Sequence, residues 1–444
     1  MARRSIYLSS LAAGLLLSVP LQFAYAADVA PAKPAPGWWD TFTVTAAIEA
    51  GLITNPAYPA NGLNFGSLYT DKANSLLLNQ VLVTAQRPID STSKDYDFGF
   101  KLQGLYGSDA RYTHFLGELD YAIDSRYQID IVEANVQAHL PWLFSGGIDV
   151  KAGQFISLQG AEYIEAGANY LYSHSYIYNF GIAGKLTGAA AVAHVVPEVD
   201  IYAGFNTGNF TTIGWPGDNN GGVGFEGGIG LNLLGGNLTA LLTTNIGPQN
   251  AATPVGLLYT QTPSSTLRFY NDLVVIWKAT DKLTFQAEGN WVHDDALGGV
   301  NGYGGSAYAI YAINDWLKIV GRAEVWRDNN NFFVSSTGVD GNFNYVNAEH
   351  GYYNYGGDIT NPAGYAPAGT FAPGPTTYLE LTAGLNITAP PIPNLLNVPA
   401  PAWIKGVVVR PEIRYDASLN NTTPYNVGTK SSQLTFGGDI IVKF

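Results

Sequence analysis

The residues with the most chemistry in this chain are charges spaced two apart. In the segment 407–416, Arg410, Glu412, Arg414 and Asp416 alternate with Val409, Pro411, Ile413 and Tyr415. Successive side chains of an extended chain point to opposite faces, so the four charges share one face and the apolar residues the other. The same parity sets Lys318, Arg322 and Glu324 opposite Leu317, Ile319, Gly321 and Val325. It also sets Glu288, beside Thr284, Gln286 and Asn290, opposite Phe285 and Ala287. Asp149 aligns with Lys151, and Lys101 with Gln103. Such a face suits two tasks: bracing a wall by ion pairs, or steering solutes through a water-filled space. The residues alone leave both open.

A second constellation lies in QFISLQGAEYIEAGANYLYSHSYIYNFGIAG at 154–184. Glu162 and Glu165 stand three apart, followed by Asn169, a tyrosine-rich run and His174. Two carboxylates of this kind can serve as an acid/base pair, but no nucleophile or metal-ligand pattern accompanies them. His114, His139, His174, His194, His293 and His350 are dispersed, and none stands at a metal-ligand spacing from another. Cysteine is absent, so neither disulfides nor thiol chemistry is available. No catalytic residue, metal site or cofactor is expected.

These side chains need elements that hold them at fixed parity. Sixteen alternating segments of about the length of a tilted spanning strand are read along the chain. They fall at 39–50, 75–84, 96–106, 127–139, 147–154, 184–196, 198–208 and 221–233. The second half adds 237–246, 267–279, 282–293, 303–313, 316–327, 376–388, 403–416 and 432–444. Connections alternate between short turns, such as Leu234-Gly235-Gly236 and Thr280-Asp281, and long ones, such as 51–74, 107–126, 155–183 and 328–375. The last segment, LTFGGDIIVKF, puts Leu434, Phe436, Ile440, Val442 and Phe444 on one face and Asp439 and Lys443 on the other.

Composition points the same way. Only 13% of residues are charged, against 51 glycines, 28 tyrosines and 9 tryptophans. A soluble domain averages about 25% charged. Yet after the N-terminal region no window of 18 uninterrupted apolar residues exists, which excludes a helical membrane protein. Arg3 and Arg4, the apolar run 11–19 and Ala24-Tyr25-Ala26 read as a signal peptide over 1–26. Residues 27–37 then form a periplasmic tether, and 38–444 the folded unit. The formal net charge of −13 becomes more negative once Arg3 and Arg4 leave, which argues against nucleic acid as a partner.

The expected fold is therefore all-β: a transmembrane antiparallel up-and-down β-barrel of about sixteen strands, with apolar residues toward lipid. A charge facing lipid at mid-depth costs about 2–4 kcal/mol, so the charged parity must face the lumen. Sixteen strands leave an aqueous channel that side chains alone do not fill. The long third external loop at 155–183 is expected to fold toward the lumen as a constriction carrying Glu162, Glu165, Asn169 and His174. Arg410, Arg414, Lys318 and Arg322 come from late strands and Glu49 from the first, so opposed basic and acidic walls and a transverse field are expected. Phe444, closing an amphipathic last strand, resembles the assembly signal of bacterial outer-membrane barrels, with the barrel-assembly machinery as its partner.

The segments 160–181, LTGAAA at 186–191 and IYAGFNTGN at 201–209 together resemble the OmpL-like β-barrel porin family, also labelled β-barrel porin-2. The likeness extends from Trp39 to Phe444. It implies an outer-membrane barrel that acts as a pore, without cofactor or catalytic residues. In the family pattern an arginine is frequent between the two serines of 173–175. Here His174 stands in that place, so no fixed positive charge is expected there near neutral pH.

Two functions follow as expectations. One is passive diffusion of small hydrophilic solutes through the outer membrane, among its lipid and lipopolysaccharide. The other is a structural or surface-interaction barrel whose Tyr-, Asn- and Gly-rich loop at 328–375 meets external partners. A homotrimer is expected by analogy with sixteen-stranded porins. The acidic loops are a further candidate for gathering divalent cations alongside anionic lipopolysaccharide.

Overall fold

The alternation translates into strands that close on themselves. The computed structural model describes residues 37–115, 118–119, 126–210, 212, 222–248, 266–295, 298–334, 374–389 and 403–444. The first strands are β1 (Thr43–Thr54), β2 (Ser75–Arg87), β3 (Asp97–Gly107) and β4 (Gln128–Leu140). Next come β5 (Ile148–Ile156), β6 (Lys185–Val196), β7 (Val199–Asn209) and β8 (Gly224–Leu233). The second half holds β9 (Leu238–Pro248), β10 (Leu267–Lys278), β11 (Leu283–Asp294) and β12 (Val300–Asn314). β13 (Leu317–Asp328), β14 (Thr376–Ala389), β15 (Gly406–Ser418) and β16 (Ser432–Lys443) complete the wall. Each strand pairs antiparallel with its sequence neighbour, and β1 pairs with β16 from Ala47↔Lys443 to Thr54↔Phe436. The sheet is a closed barrel without edges.

All sixteen expected segments form strands. The largest slip is at the start, where β1 begins at Thr43 instead of 39. Trp38–Thr41 instead forms a 3-10 turn, held by Gly37 N donating to Asp40 Oδ2 at 2.7 Å. Trp38 docks this turn on the barrel rim by donating from Nε1 to the Phe98 carbonyl at 2.9 Å. The signal peptide and residues 27–36 of the tether lie outside the described residues, as does 335–373 of the loop proposed to meet external partners.

Parity sorts the side chains as the sequence implies. Along β11, Phe285, Ala287, Gly289 and Trp291 are exposed, while Gln286, Glu288, Asn290 and Val292 are buried. Along β16, Leu434, Phe436 and Ile440 face outward, and Gln433, Thr435, Asp439 and Ile441 inward. Outward aromatics gather in two girdles. Trp142, Trp277, Phe285, Trp316 and Trp403 lie near the end with short turns, and Tyr106, Phe205, Phe225, Trp291 and Tyr303 near the other. Such belts mark the two interfaces of a membrane. Because outer-membrane barrels keep short turns periplasmic, the long connections are external. At the periplasmic end Phe444 stacks on Trp403, ring centroids 5.5 Å apart, and its N–H bonds the Ala46 carbonyl.

Among the described residues, the largest cluster of buried apolar side chains lies inside the barrel. Tyr176, Ile177 and Phe180 of the third external loop pack with Tyr270, Trp326, Phe333, Tyr378 and Tyr425. That cluster exists because the loop enters the lumen.

Candidate functional site

The third external loop, 157–184, leaves β5 and does not stay outside. Its closing backbone bond, Ser157 N to the Gly184 carbonyl at 2.9 Å, ties the two stems together. From there the chain descends along β8, β10 and β11, crosses to β2 and β16, and returns along β15 and β13. What holds it is an unusual division of labour. Wall carboxylates accept the loop's backbone N–H groups, and wall cations donate to its carbonyls.

The carboxylates come from five strands. Glu226 accepts Leu158 N at 2.9 Å, Asp272 accepts Gly160 N at 2.9 Å, and Glu288 accepts Ala161 N at 3.1 Å. On the return limb Glu412 accepts Tyr172 N at 2.9 Å and also Ser173 N. Glu324 accepts Tyr176 N at 2.6 Å and Ile177 N at 2.8 Å. The cations complement them. Arg322 donates to the Ser173 carbonyl at 2.7 Å, Arg414 to that of His174 at 2.6 Å, and Arg410 to those of Ala166 and Asn169 at 2.7 and 3.0 Å. Charge-assisted bonds of this kind are roughly twice as strong as neutral ones, and buried backbone groups cannot be left without a partner.

Each of these arginines also meets a carboxylate on the wall itself. Arg410 lies 2.9 Å from Glu49 and 2.5 Å from Asp439, and Arg414 lies 2.8 Å from Asp416. Arg322 lies 2.9 Å from Glu380 and 2.6 Å from Glu162 of the loop. The expected transverse field is thereby corrected. β16 alone separates β1 from β15, and the long Arg410 side chain reaches past Asp439 to Glu49, so the two lie side by side on one stretch of wall instead of across the lumen.

The loop's own expected residues take distinct places. Glu162 sits at the centre. Its carboxylate accepts Arg322, Ser175 N at 3.0 Å and Tyr308 Oη at 3.0 Å, and lies 3.0 Å from His174 Nδ1. Burial alone would raise this carboxyl's pKa, but Arg322 first, then His174 and the Ser175 amide, hold it down to about 2. His174 stacks on Tyr178, 4.2 Å between rings, and Tyr69 adjoins both. The carboxylate that His174 meets is thus also met by a fixed cation of the wall, Arg322, at 2.6 Å. Asn169 staples the loop to itself, donating to the Tyr163 carbonyl at 2.7 Å and accepting Tyr163 N at 2.8 Å. Glu165 lies at the deepest part of the loop, where it and Lys443 flank Gly167.

Of the other expected wall charges, Lys318 meets the loop at the Tyr170 ring, while Lys101, Asp149 and Lys151 meet other parts of the wall. Lys101 pairs with Glu133 at 2.5 Å. Asp149, near the periplasmic end, is held by Ser91, by His139 at 2.6 Å and by His194 at 3.2 Å. Two of the dispersed histidines thus converge on one carboxylate. Lys151 places Nζ 4.3 Å from the centre of the Phe155 ring, and Lys318 places Nζ 5.1 Å from that of Tyr170. Among the described residues no group of three His, Asp or Glu is placed to hold a metal.

Several docking residues escaped the sequence reading. Asn79 and Gln80 are consecutive yet both inward, because the pairing of β1 with β2 shifts register between Glu49 and Ala50. Gln80 donates to the Ile164 carbonyl at 2.7 Å and accepts Ala166 N at 3.3 Å, while Asn79 accepts Tyr172 Oη at 2.9 Å. Both amides donate to Asp109 at 3.0 Å. Burial raises the Asp109 carboxyl to about 7, against the lowering effect of these two amides and Arg111. Asp272 and Glu226 were readable in principle: Arg268, Tyr270 and Asp272 share inward parity along β10, as Glu226 and Gly228 do along β8.

Where the loop passes, the wall makes room. A Cβ at Gly51 would lie 2.3 Å from Tyr172 Cζ, and one at Gly384 would lie 2.7 Å from Leu171 Cδ2. Beside the loop, a cavity of about 50 Å³ remains, lined by Tyr69, Tyr112, Tyr163, Tyr178 and Asn179 among others. It has room for one or two waters.

Comparison with known proteins bears on the family and the fold. The profile of the family described as "Putative beta-barrel porin-2, OmpL-like" matches residues 41–444. No functionally curated protein matches the chain. Solved structures share the fold at low identity. An anion-selective porin from Comamonas acidovorans is 10% identical, with 91% of this chain and 99% of that one covered and a TM-score of 0.54. OprB of Pseudomonas putida, in its high-pH structure, is 15% identical, with 91% and 94% covered and a TM-score of 0.51. OmpT of Vibrio cholerae in its trimer form is 10% identical, with 91% and 99% covered and a TM-score of 0.50.

Proposed function

Because the chain belongs to the OmpL-like β-barrel porin-2 family, we propose that it lets small hydrophilic solutes or ions diffuse passively across the outer membrane, with the third loop as constriction. Family and fold establish the coarser statement, a porin-like outer-membrane barrel. The observation that carries the finer one is the inward course of 157–184, bonded to β2, β8, β10, β11, β13 and β15 by its backbone. A loop fixed in this way narrows a sixteen-stranded lumen without depending on its own side chains. Arg322, Arg410 and Arg414 with Glu288, Glu324 and Glu412 then act first as the loop's anchors, and Glu162, Asn169 and His174 shape the crossing.

The accompanying roles form one picture. Cleavage near Ala26 delivers 27–444 to the periplasm, Phe444 is the signal read by the barrel-assembly machinery, and the girdles settle in lipid and lipopolysaccharide. A homotrimer is the assembly proposed, as in the trimer form of OmpT. No catalytic role is assigned to any residue.

The test is single-channel conductance in planar bilayers, with the full chain and with residues 160–180 removed. A measurable conductance that grows on deletion supports the constriction. No conductance from either form would sink the porin reading and favour a purely structural barrel.

A further inference from the structure

The strand-borne cations that face the lumen fall into two sets. Lys101, Lys185, Arg268, Arg322, Arg410 and Arg414 each lie within 3 Å of a carboxylate. Lys151, Lys318 and Lys443 do not: among the described residues none of them makes an ion pair. Lys151 and Lys318 lie over the rings of Phe155 and Tyr170, and Lys443 Nζ donates to the Gly167 carbonyl at 3.4 Å.

The second set is also grouped in depth. Lys318 is the second residue of β13 from its periplasmic end, Lys443 the last of β16, and Lys151 the fourth of β5. Lys278, exposed at the periplasmic end of β10, shares the luminal parity and continues the row. The wall carboxylates at and above the crossing are occupied by backbone amides, by arginines or, for Glu133 and Asp130, by Lys101 and Lys185. Below it, the loop contributes one carboxylate of its own, Glu165, beside Lys443.

We propose that Lys318, Lys443 and Lys151 are the specificity-determining charges of the pore. They make its periplasmic half attractive to small anions, in a chain whose formal net charge is −13. The physical ground is that a paired charge presents a short-range dipole to a passing ion, whereas an unpaired one acts over about a Debye length, roughly 8–10 Å at physiological salt. The total charge of the wall is thus a poor guide to selectivity; the charges outside ion pairs decide it. This inference rests on the porin reading.

The experiment is the reversal potential of the full-length protein in a planar bilayer under a KCl gradient, with chloride and potassium as probes. The unmodified protein should favour chloride. Lys318→Cys should lower the chloride-to-potassium permeability ratio about twofold, the scale of one luminal charge acting through water at several ångströms. Because the chain has no other cysteine, a cationic methanethiosulfonate reagent should restore the ratio and an anionic one lower it further. Lys151→Gln provides a second variant, and heat-modifiable migration on gels confirms that each barrel is folded. Conducting channels that favour potassium, or a ratio unmoved by both variants, would overturn the inference and leave the porin standing. Absence of conductance in every form would overturn both.

Discussion

Arg322 Nη1 of β13 lies 2.6 Å from Glu162 Oε1, at the centre of a loop that enters the lumen from β5, on another part of the wall. The same guanidinium donates to Glu380 at 2.9 Å and to the Ser173 carbonyl at 2.7 Å, so one side chain joins two wall strands to both limbs of the crossing. Removing one partner from a buried pair leaves the other uncompensated, at a cost of about 3–5 kcal/mol. Arg322→Gln should therefore lower the urea midpoint of refolding into vesicles and give noisy, larger conductance steps. Lys in this place should rescue little, since a point charge cannot reach three acceptors with one planar fork. An Arg322→Gln channel as quiet and narrow as the parent would show that the loop is anchored elsewhere.

The carboxylates offer an independent check on backbone docking. Glu324→Gln together with Glu412→Gln keeps shape but removes two charges that accept four loop amides. Charge-assisted bonds become neutral ones, worth roughly half as much. Proteolysis between residues 160 and 180 of the folded barrel should accelerate, while the wall, monitored by circular dichroism, stays intact. Equal cleavage rates would mean that these carboxylates do not hold the loop.

Much of this architecture was legible in the sequence. Period-two alternation revealed sixteen strands, because lipid outside and water inside impose opposite demands on successive residues. It placed Arg410, Glu412 and Arg414 on the inner face, where they are found. What alternation does not encode is whom these charges meet. Glu412 accepts two amides of residues 240 and 239 positions away, and a backbone amide is the same in every residue type. Gln80 was invisible for another reason: the register shift beside Glu49 breaks the parity on which the reading depends. The sequence also suggested opposed charged walls, since it shows the order of strands but not that Glu49 and Arg410 end 2.9 Å apart.

Space is as restrictive as charge. Gly51 leaves room for the Tyr172 ring, so Gly51→Val should push the return limb off β1 without touching any ionisable group. Overpacking of a filled interior costs about 1–3 kcal/mol. The expected result is a conductance change with unaltered salt dependence of stability, separating steric from electrostatic docking. Unchanged conductance would place Tyr172 outside the permeation path.

Among the described residues, the two shifted carboxyls outside the strands predict a pH response with opposite signs. Glu162, held down to about 2, contributes stability above its ordinary range near 4.5 and loses that contribution as pH falls toward 2. Asp109 is raised from 3.8 to about 7, so its contribution is complete below 3.8 and is lost as pH climbs through 7. Stability should therefore weaken at both ends. Asp109→Asn, which carries no titrating group and keeps one carbonyl oxygen to accept from Asn79 or Gln80, should abolish the decline near neutrality and spare the acid limb. Because Gln80 bonds the loop at Ile164 and Ala166, the same variant should also flatten any change in conductance between pH 6 and 8. Refolding midpoints in vesicles across pH 3–9, for the parent and Asp109→Asn, decide the point. A neutral-range decline that persists in the variant would assign it to another group.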